Sequence, residues 1–156
     1  MVKNLKYFMR ENLKKEEIIV APGPESIKDE NGNTINLEIR VLPNSVIQKI
    51  NDNYRKRTIA LDKKGNPYIS GNEVVFRTEF DAARASRHVI VEALKYPDLK
   101  DPELMKFFDC HDITDMPLLV FPRADEYRHV SNMVMTALGL REAATDEEEI
   151  EEAKNS

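Results

Sequence analysis

Cys110, His111 and Asp112 stand side by side. A thiol, an imidazole and a carboxylate are the groups from which a cysteine nucleophile, its general base and an orienting acid are assembled. The spacing argues against that use. Neighbouring residues project in different directions, whereas a nucleophile and its base must share a hydrogen bond. A helix end with a buried thiol and a capping aspartate accounts for the same three residues. His88 and His129 complete the histidines. No His-x3-His or Cys-x2-Cys pair is present to begin a tetrahedral metal site. The five glycines form no phosphate-cradling loop. The residues therefore predict a chain without catalytic centre, metal or cofactor, and an enzyme built on Cys110 and His111 is the rival reading.

Arg55-Lys56-Arg57 is the one basic cluster. Cations in the last turn of a helix complement its macrodipole, and that role is favoured over a nucleic-acid contact. Composition agrees, since the chain carries a net charge of −5, 7% aromatic residues and no Trp, which is no footprint for a polyanion or single-strand platform. A single cysteine excludes an internal disulfide. With no apolar signal core near the N-terminus and no apolar run near the roughly 20 residues of a bilayer span, the expected setting is the cytoplasm, with no membrane partner.

Charge is unevenly spread. Residues 141–156 hold seven acids and two bases, so they account for the whole −5 and residues 1–140 sum to zero. This predicts one neutral globular domain, 1–140, followed by an acidic tail, 141–156. Thr145, with Glu148 three residues later, is a capping-box start for an acidic helix within that tail.

The elements follow from period and punctuation. Leu5, Phe8, Met9 and Leu13 predict an amphipathic helix over residues 3–13. Ile18-Ile19-Val20 predicts a short strand stopped by Pro22-Gly23-Pro24. Asn31-Gly32 supplies positive φ for a tight hairpin, after which Ile35, Leu37, Ile39 and Val41 alternate with polar residues. Asn44 or Ser45 would cap a helix bearing Ile47, Ile50 and Tyr54 and ending in Arg55-Lys56-Arg57. Residues 58–72 read as a flap or a second, weaker hairpin, and Val74-Val75-Phe76 as a short strand. Helices are then expected over residues 80–95, from Pro102, over 115–121 and over 124–138, the last closed by Gly139. The Met residues 105, 116, 133 and 135 all fall in this half, as core filler or as an adaptable groove. The fold class is α+β: a small N-terminal antiparallel sheet and a mainly helical C-terminal half.

Residues 82–104 read A-A-R-A-S-R-H-V-I-V-E-A-L-K-Y-P-D-L-K-D-P-E-L. A helix ending in Tyr96-Pro97-Asp98-Leu99 and followed by Lys100-Asp101-Pro102-Glu103-Leu104 resembles the XkdN-like tail assembly chaperones of tailed phages and prophages in Gram-positive bacteria. The order of parts is similar too: a Leu/Phe helix, an Asn-Gly hairpin with Leu37-Glu38-Ile39-Arg40, and a long helix leading to the Glu-rich end. The resemblance implies a non-enzymatic chaperone that binds the tape measure protein before the tail tube forms around it. A structural tail-completion or connector component is the alternative. Helical phase and charge nominate Phe80, Val89, Met133, Val134, Glu148 and Glu149 as partner contacts, and self-association stays open. Ala153-Lys154-Asn155 is a tripeptide that an A-rich slippery heptamer encodes, so a frameshifted longer product is a further expectation of the resemblance.

Overall fold

The computed structural model describes residues 3–10 and 16–141. In chain order these form β1 (Ile18–Pro22), β2 (Asn36–Arg40), α1 (Asn44–Asp52), β3 (Arg55–Ile59), β4 (Ile69–Ser70), β5 (Glu73–Val74), β6 (Phe76–Phe80), α2 (Ala82–Ala93), β7 (Leu94–Tyr96), α3 (Pro102–Phe107), α4 (Met116–Val120) and α5 (Ala124–Ala137). The fold is α+β, with the antiparallel sheet near the N-terminus and the helices concentrated after residue 80. The chain divides into two compact units, each drawn from several segments.

The first unit holds β1, β2, β7 and α5. β2 is central, antiparallel to β1 on one side and β7 on the other. Its alternation works as the residues predict: Leu37 and Ile39 are buried while Asn36 is exposed. Glu17 extends the β1 pairing through its carbonyl, which accepts from Val41 N. Pro22 is the last strand residue rather than the first of the bend. β1 is an edge strand, where a missing N–H costs the ladder nothing. On α5, Val130 and Val134 lie one turn apart and are fully buried. The helix ends in a Schellman motif: Leu140 N donates to Met135 O, Gly139 N to Thr136 O, and Gly139 takes φ 75°.

The turn after β1 differs in detail from the tight hairpin. Gly32 has φ 80°, but Asn31 does not enter the left-handed region. The chain turns instead around Asp29, whose Oδ1 accepts from Asn31 N and Asn33 N. Residues 62–66 repeat this device. Asp62 Oδ1 accepts from Lys64 N and Asn66 N, and Gly65 has φ 81°. Asp-x-x-Gly-Asn thus forms the same side-chain-closed turn twice, an Asx-type stabilisation that leaves one position for glycine.

The second unit holds α1, β3 to β6, most of α2, α3 and α4. Ile47 and Ile50 of α1 are buried, as expected. No side chain caps α1, since Pro43 occupies the cap position. The helix also stops before the basic cluster: Asn53 N donates to Lys49 O and Ile50 O, and Tyr54 N to Asn51 O, a tightened last turn. Arg55-Lys56-Arg57 therefore begins β3 and does not end a helix. β3 pairs antiparallel with β6, and the tip of this ribbon carries the small β4–β5 hairpin. Residues 58–72 thus hold the end of β3, the turn at 62–66 and β4, the first strand of that hairpin, while the expected strand Val74-Val75-Phe76 is broken at Val75, between β5 and β6.

The long helix is shorter than its apolar stripe. Phe80 belongs to β6, and Leu94-Lys95-Tyr96 to β7. Asp81 sits between β6 and α2, its Oδ1 accepting from Arg84 N. The buried residues of α2 are Ala85, Val89, Ile90, Val91 and Ala93, so burial begins at Ala85 rather than at Ala82. Asp101 caps α3 with Pro102 at its first position, as expected. The short helix near Met116 is also present. Of the predicted helix over residues 3–13, the described residues 3–10 form one 3-10 turn, Leu5–Phe8, capped by Asn4. Leu5, Phe8 and Met9 are exposed, so the expected apolar stripe buries nothing among the described residues, and short helices are marginal without burial. Leu13 and the Thr145 capping box lie outside the described residues, as do residues 142–156 of the acidic tail.

Candidate partner-binding surface

Cys110, His111 and Asp112 do not converge. The half-buried Cys110 thiol donates to the Asp112 carbonyl oxygen at 3.0 Å. His111 projects into solvent with its side chain 91% exposed, near only Asp109. Asp112 is the capping aspartate: its Oδ1 accepts from Thr114 N at 3.0 Å and Thr114 Oγ1 at 2.8 Å. Its Oδ2 takes the Arg84 guanidinium. Hydrogen bonds from Thr114 come first, then Arg84, in holding the Asp112 carboxyl below the usual carboxylate range. Among the described residues no three His, Cys, Asp or Glu side chains group as a metal site.

Arg84 organises more than this cap. Its Nε donates to Thr114 Oγ1 at 3.2 Å, and its guanidinium lies 5.5 Å from the Tyr54 ring centroid. Arg87 Nε donates to Thr114 O at 2.8 Å, which leaves Thr114 1% exposed and fully bonded. The Tyr54 hydroxyl and His88 Nδ1 are 2.6 Å apart, and the two rings meet edge-on. Glu92 lies 3.6 Å from His88 Nε2. That position favours the proton on Nε2 and leaves Nδ1 to accept from the phenol. Burial pushes the Tyr54 phenol up. This network joins α2 to Tyr54, between α1 and β3, and to the loop before α4. It was not legible in the sequence, because its members lie up to 60 positions apart; their polarity is that of any solvated residue.

The network ends at the root of the β3–β6 ribbon, where Asn53, Tyr54, Arg55, Lys56, Glu79, Phe80, Asp81 and Arg84 line a shallow cleft. Beyond the root, every residue of β6 is exposed, and all of β3 except the half-buried Thr58. One ribbon face carries Ile59, Phe76 and Phe80 beside Arg55 and Arg57. Arg57 stacks 4.1 Å from the Phe76 centroid and Arg55 5.2 Å from that of Phe80. The two arginines of the basic cluster are thus spent on aromatic faces. The opposite face carries Lys56, Arg77 and Glu79, with Arg77 and Glu79 paired at 2.7 Å.

The six nominated contacts separate. Phe80 is 44% exposed on this ribbon. Val89 and Val134 are core residues of their units, and a partner cannot reach them without opening the fold. Met133 is half-buried on α5. Glu148 and Glu149 lie outside the described residues. Ile59 and Phe76, which sequence reasoning missed, face each other at the far end of the same ribbon face as Phe80. The alternation Phe76-x-Thr78-x-Phe80 was their available signal.

An α+β protein with a two-faced, solvent-exposed ribbon is a class defined by surfaces. A family model for the phage XkdN-like tail assembly chaperone protein matches residues 5–154, so the chain belongs to that family. The crystal structure of the protein yqbn is similar in fold, with a TM-score of 0.67 and 18% identity over 90% of this chain and 100% of that one. No curated protein sequence matches the chain. No helix among the described residues is long and apolar enough to cross a membrane.

Proposed function

We propose that this tail assembly chaperone binds the tape measure protein in the host cytoplasm during tail morphogenesis, without catalysis. The observation that carries the reading is the ribbon face of Ile59, Phe76 and Phe80, apolar and exposed within a family of assembly chaperones. A long helical client presents apolar stripes that aggregate if left bare, and an exposed apolar face with adjacent cations can cover them. Met133 and the acidic residues Glu148 and Glu149 are secondary contacts in the same reading. The acidic tail keeps a complex soluble and repels nucleic acid.

Co-expression with the tape measure protein encoded by the same phage or prophage, followed by pull-down, tests the proposal. Retention of that product at moderate salt is expected, with loss on Phe76→Ser plus Phe80→Ser. Failure to retain it from the parent chain overturns the reading.

A further inference from the structure

We propose that strand β6 is a self-pairing edge, through which two copies of this chain join into a closed dimer. β3 and β6 form a sheet of two strands, and no other described strand pairs with the outer edge of β6. Such a ribbon, wet on both faces, is marginal in water until further strands are added.

The ladder determines which backbone groups face that edge. Ala60 N donates to Val75 O, and Asp81 N to Tyr54 O. Hydrogen-bonded positions alternate along an antiparallel pair. In the β3–β6 register, Arg57 faces Thr78 and Lys56 faces Glu79. Arg77 and Glu79 therefore bond to β3, while Phe76, Thr78 and Phe80 direct their N–H and C=O groups outward.

The side chains of Phe76-Arg77-Thr78-Glu79-Phe80 read complementarily in reverse. An antiparallel pairing of two β6 strands centred on Thr78 sets Thr78 against Thr78 and Phe76 against Phe80 of the second copy. It sets Arg77 against Glu79 of the second copy, twice. All three outward-facing residues then fall at hydrogen-bonded positions. The two Arg–Glu pairs fall at the closer, non-bonded positions, where cross-strand charge matters most. One register thus satisfies backbone, aromatic and charge pairing together.

β3 does not offer this. A self-pairing centred on Arg57 would set Arg57 against Arg57, and Lys56 next to it adds to the repulsion. Like charge on an edge strand blocks strand addition. The resulting sheet has order β3-β6-β6-β3, two-fold and isologous, with cationic outer edges that stop further growth. The oligomer closes at two copies instead of polymerising.

Sedimentation equilibrium of the full chain from about 1 μM to about 1 mM tests this. A monomer–dimer equilibrium whose mass stops at two copies is expected. R77E alone sets acid against acid at both pairs, and E79R alone sets base against base; each should weaken association at least about tenfold. Both side chains are at least half exposed and their own pair is a surface one, so neither change threatens the fold. The double variant R77E/E79R should dimerise like the parent, and mixing the two single variants should restore a dimer. A parent chain monomeric throughout overturns the proposal. So do single variants that associate like the parent, or a mixture that stays monomeric.

Discussion

The Arg57 guanidinium lies 4.1 Å from the centroid of the Phe76 ring, across two strands 19 residues apart in sequence. Each accounts for the other. The arginine covers an aromatic face that would otherwise be wholly wet, and the ring's negative face accepts the cation. Exposed pairs of this kind contribute about 0.5–1 kcal/mol. Arg57→Gln should therefore loosen the ribbon by that amount. Amide hydrogen exchange of Arg77 and Glu79, whose N–H groups belong to the β3 ladder, should speed up. Exchange at Val130 and Val134 should not change, and acceleration there would refute a local role.

Asp112 predicts a pH dependence. Its carboxylate is stabilised in the folded chain by Thr114 and Arg84, so its folded pKa lies below the unfolded one. The stabilisation is complete above the pH where an ordinary aspartate titrates, and it is lost as pH falls through the lowered folded value. Asp112→Asn should cost on the order of 1 kcal/mol at neutral pH. The gap between the two proteins should narrow as acid is added below the ordinary aspartate range. Chemical denaturation across that range measures it. A gap independent of pH would mean that the hydrogen bonds act without the charge.

Gly23 and Gly32 should respond to alanine for different reasons. A Cβ on Gly23 would meet the Ile35 carbonyl oxygen at 2.2 Å, and backbone cannot step aside. Gly23→Ala should cost about 1–3 kcal/mol or more by overpacking. A Cβ on Gly32 meets nothing within 4 Å, so its cost is that of the left-handed backbone, about 1–2 kcal/mol. Asparagine tolerates that conformation. Gly32→Asn should therefore recover most of the loss, whereas Gly23→Asn should not. Thermal denaturation separates the two.

A chain stopped after Arg141, which keeps the bond between Arg141 and Asn132, should melt within about 2 °C of the full protein, less than a 1 kcal/mol change shifts a domain of this size. This follows if residues 1–140 fold as one neutral body without the acidic tail. A larger drop would place part of the stability in the tail.

A non-enzymatic chaperone should be indifferent to its thiol. Cys110→Ala with His111→Ala should retain the client like the parent in the pull-down, and loss of retention with an unchanged melting temperature would revive a role for the pair.

Where one side of an element is buried, the amino-acid order determined it. Leu37 and Ile39 alternate because one sheet face is dry, and Ile47 and Ile50 recur at helical spacing for the same reason. Asp101-Pro102 and Gly139 mark helix ends by local chemistry alone, which needs no distant partner. Together with the motif block at residues 82–104 these were enough for the α+β class and the family. The tertiary structure decided what burial does not imprint. Arg55-Lys56-Arg57 reads as a helix end until Phe76 and Phe80 are brought beside it. An exposed ribbon has no dry face to set a hydrophobic period, and its pairing is non-local. Val89 and Val134 look like any apolar surface in helical phase, and it is the packing of their units that withdraws them from partners. The Arg84, Asp112 and Thr114 network is likewise a product of folding, since hydrogen bonds between distant polar residues leave no pattern along the chain.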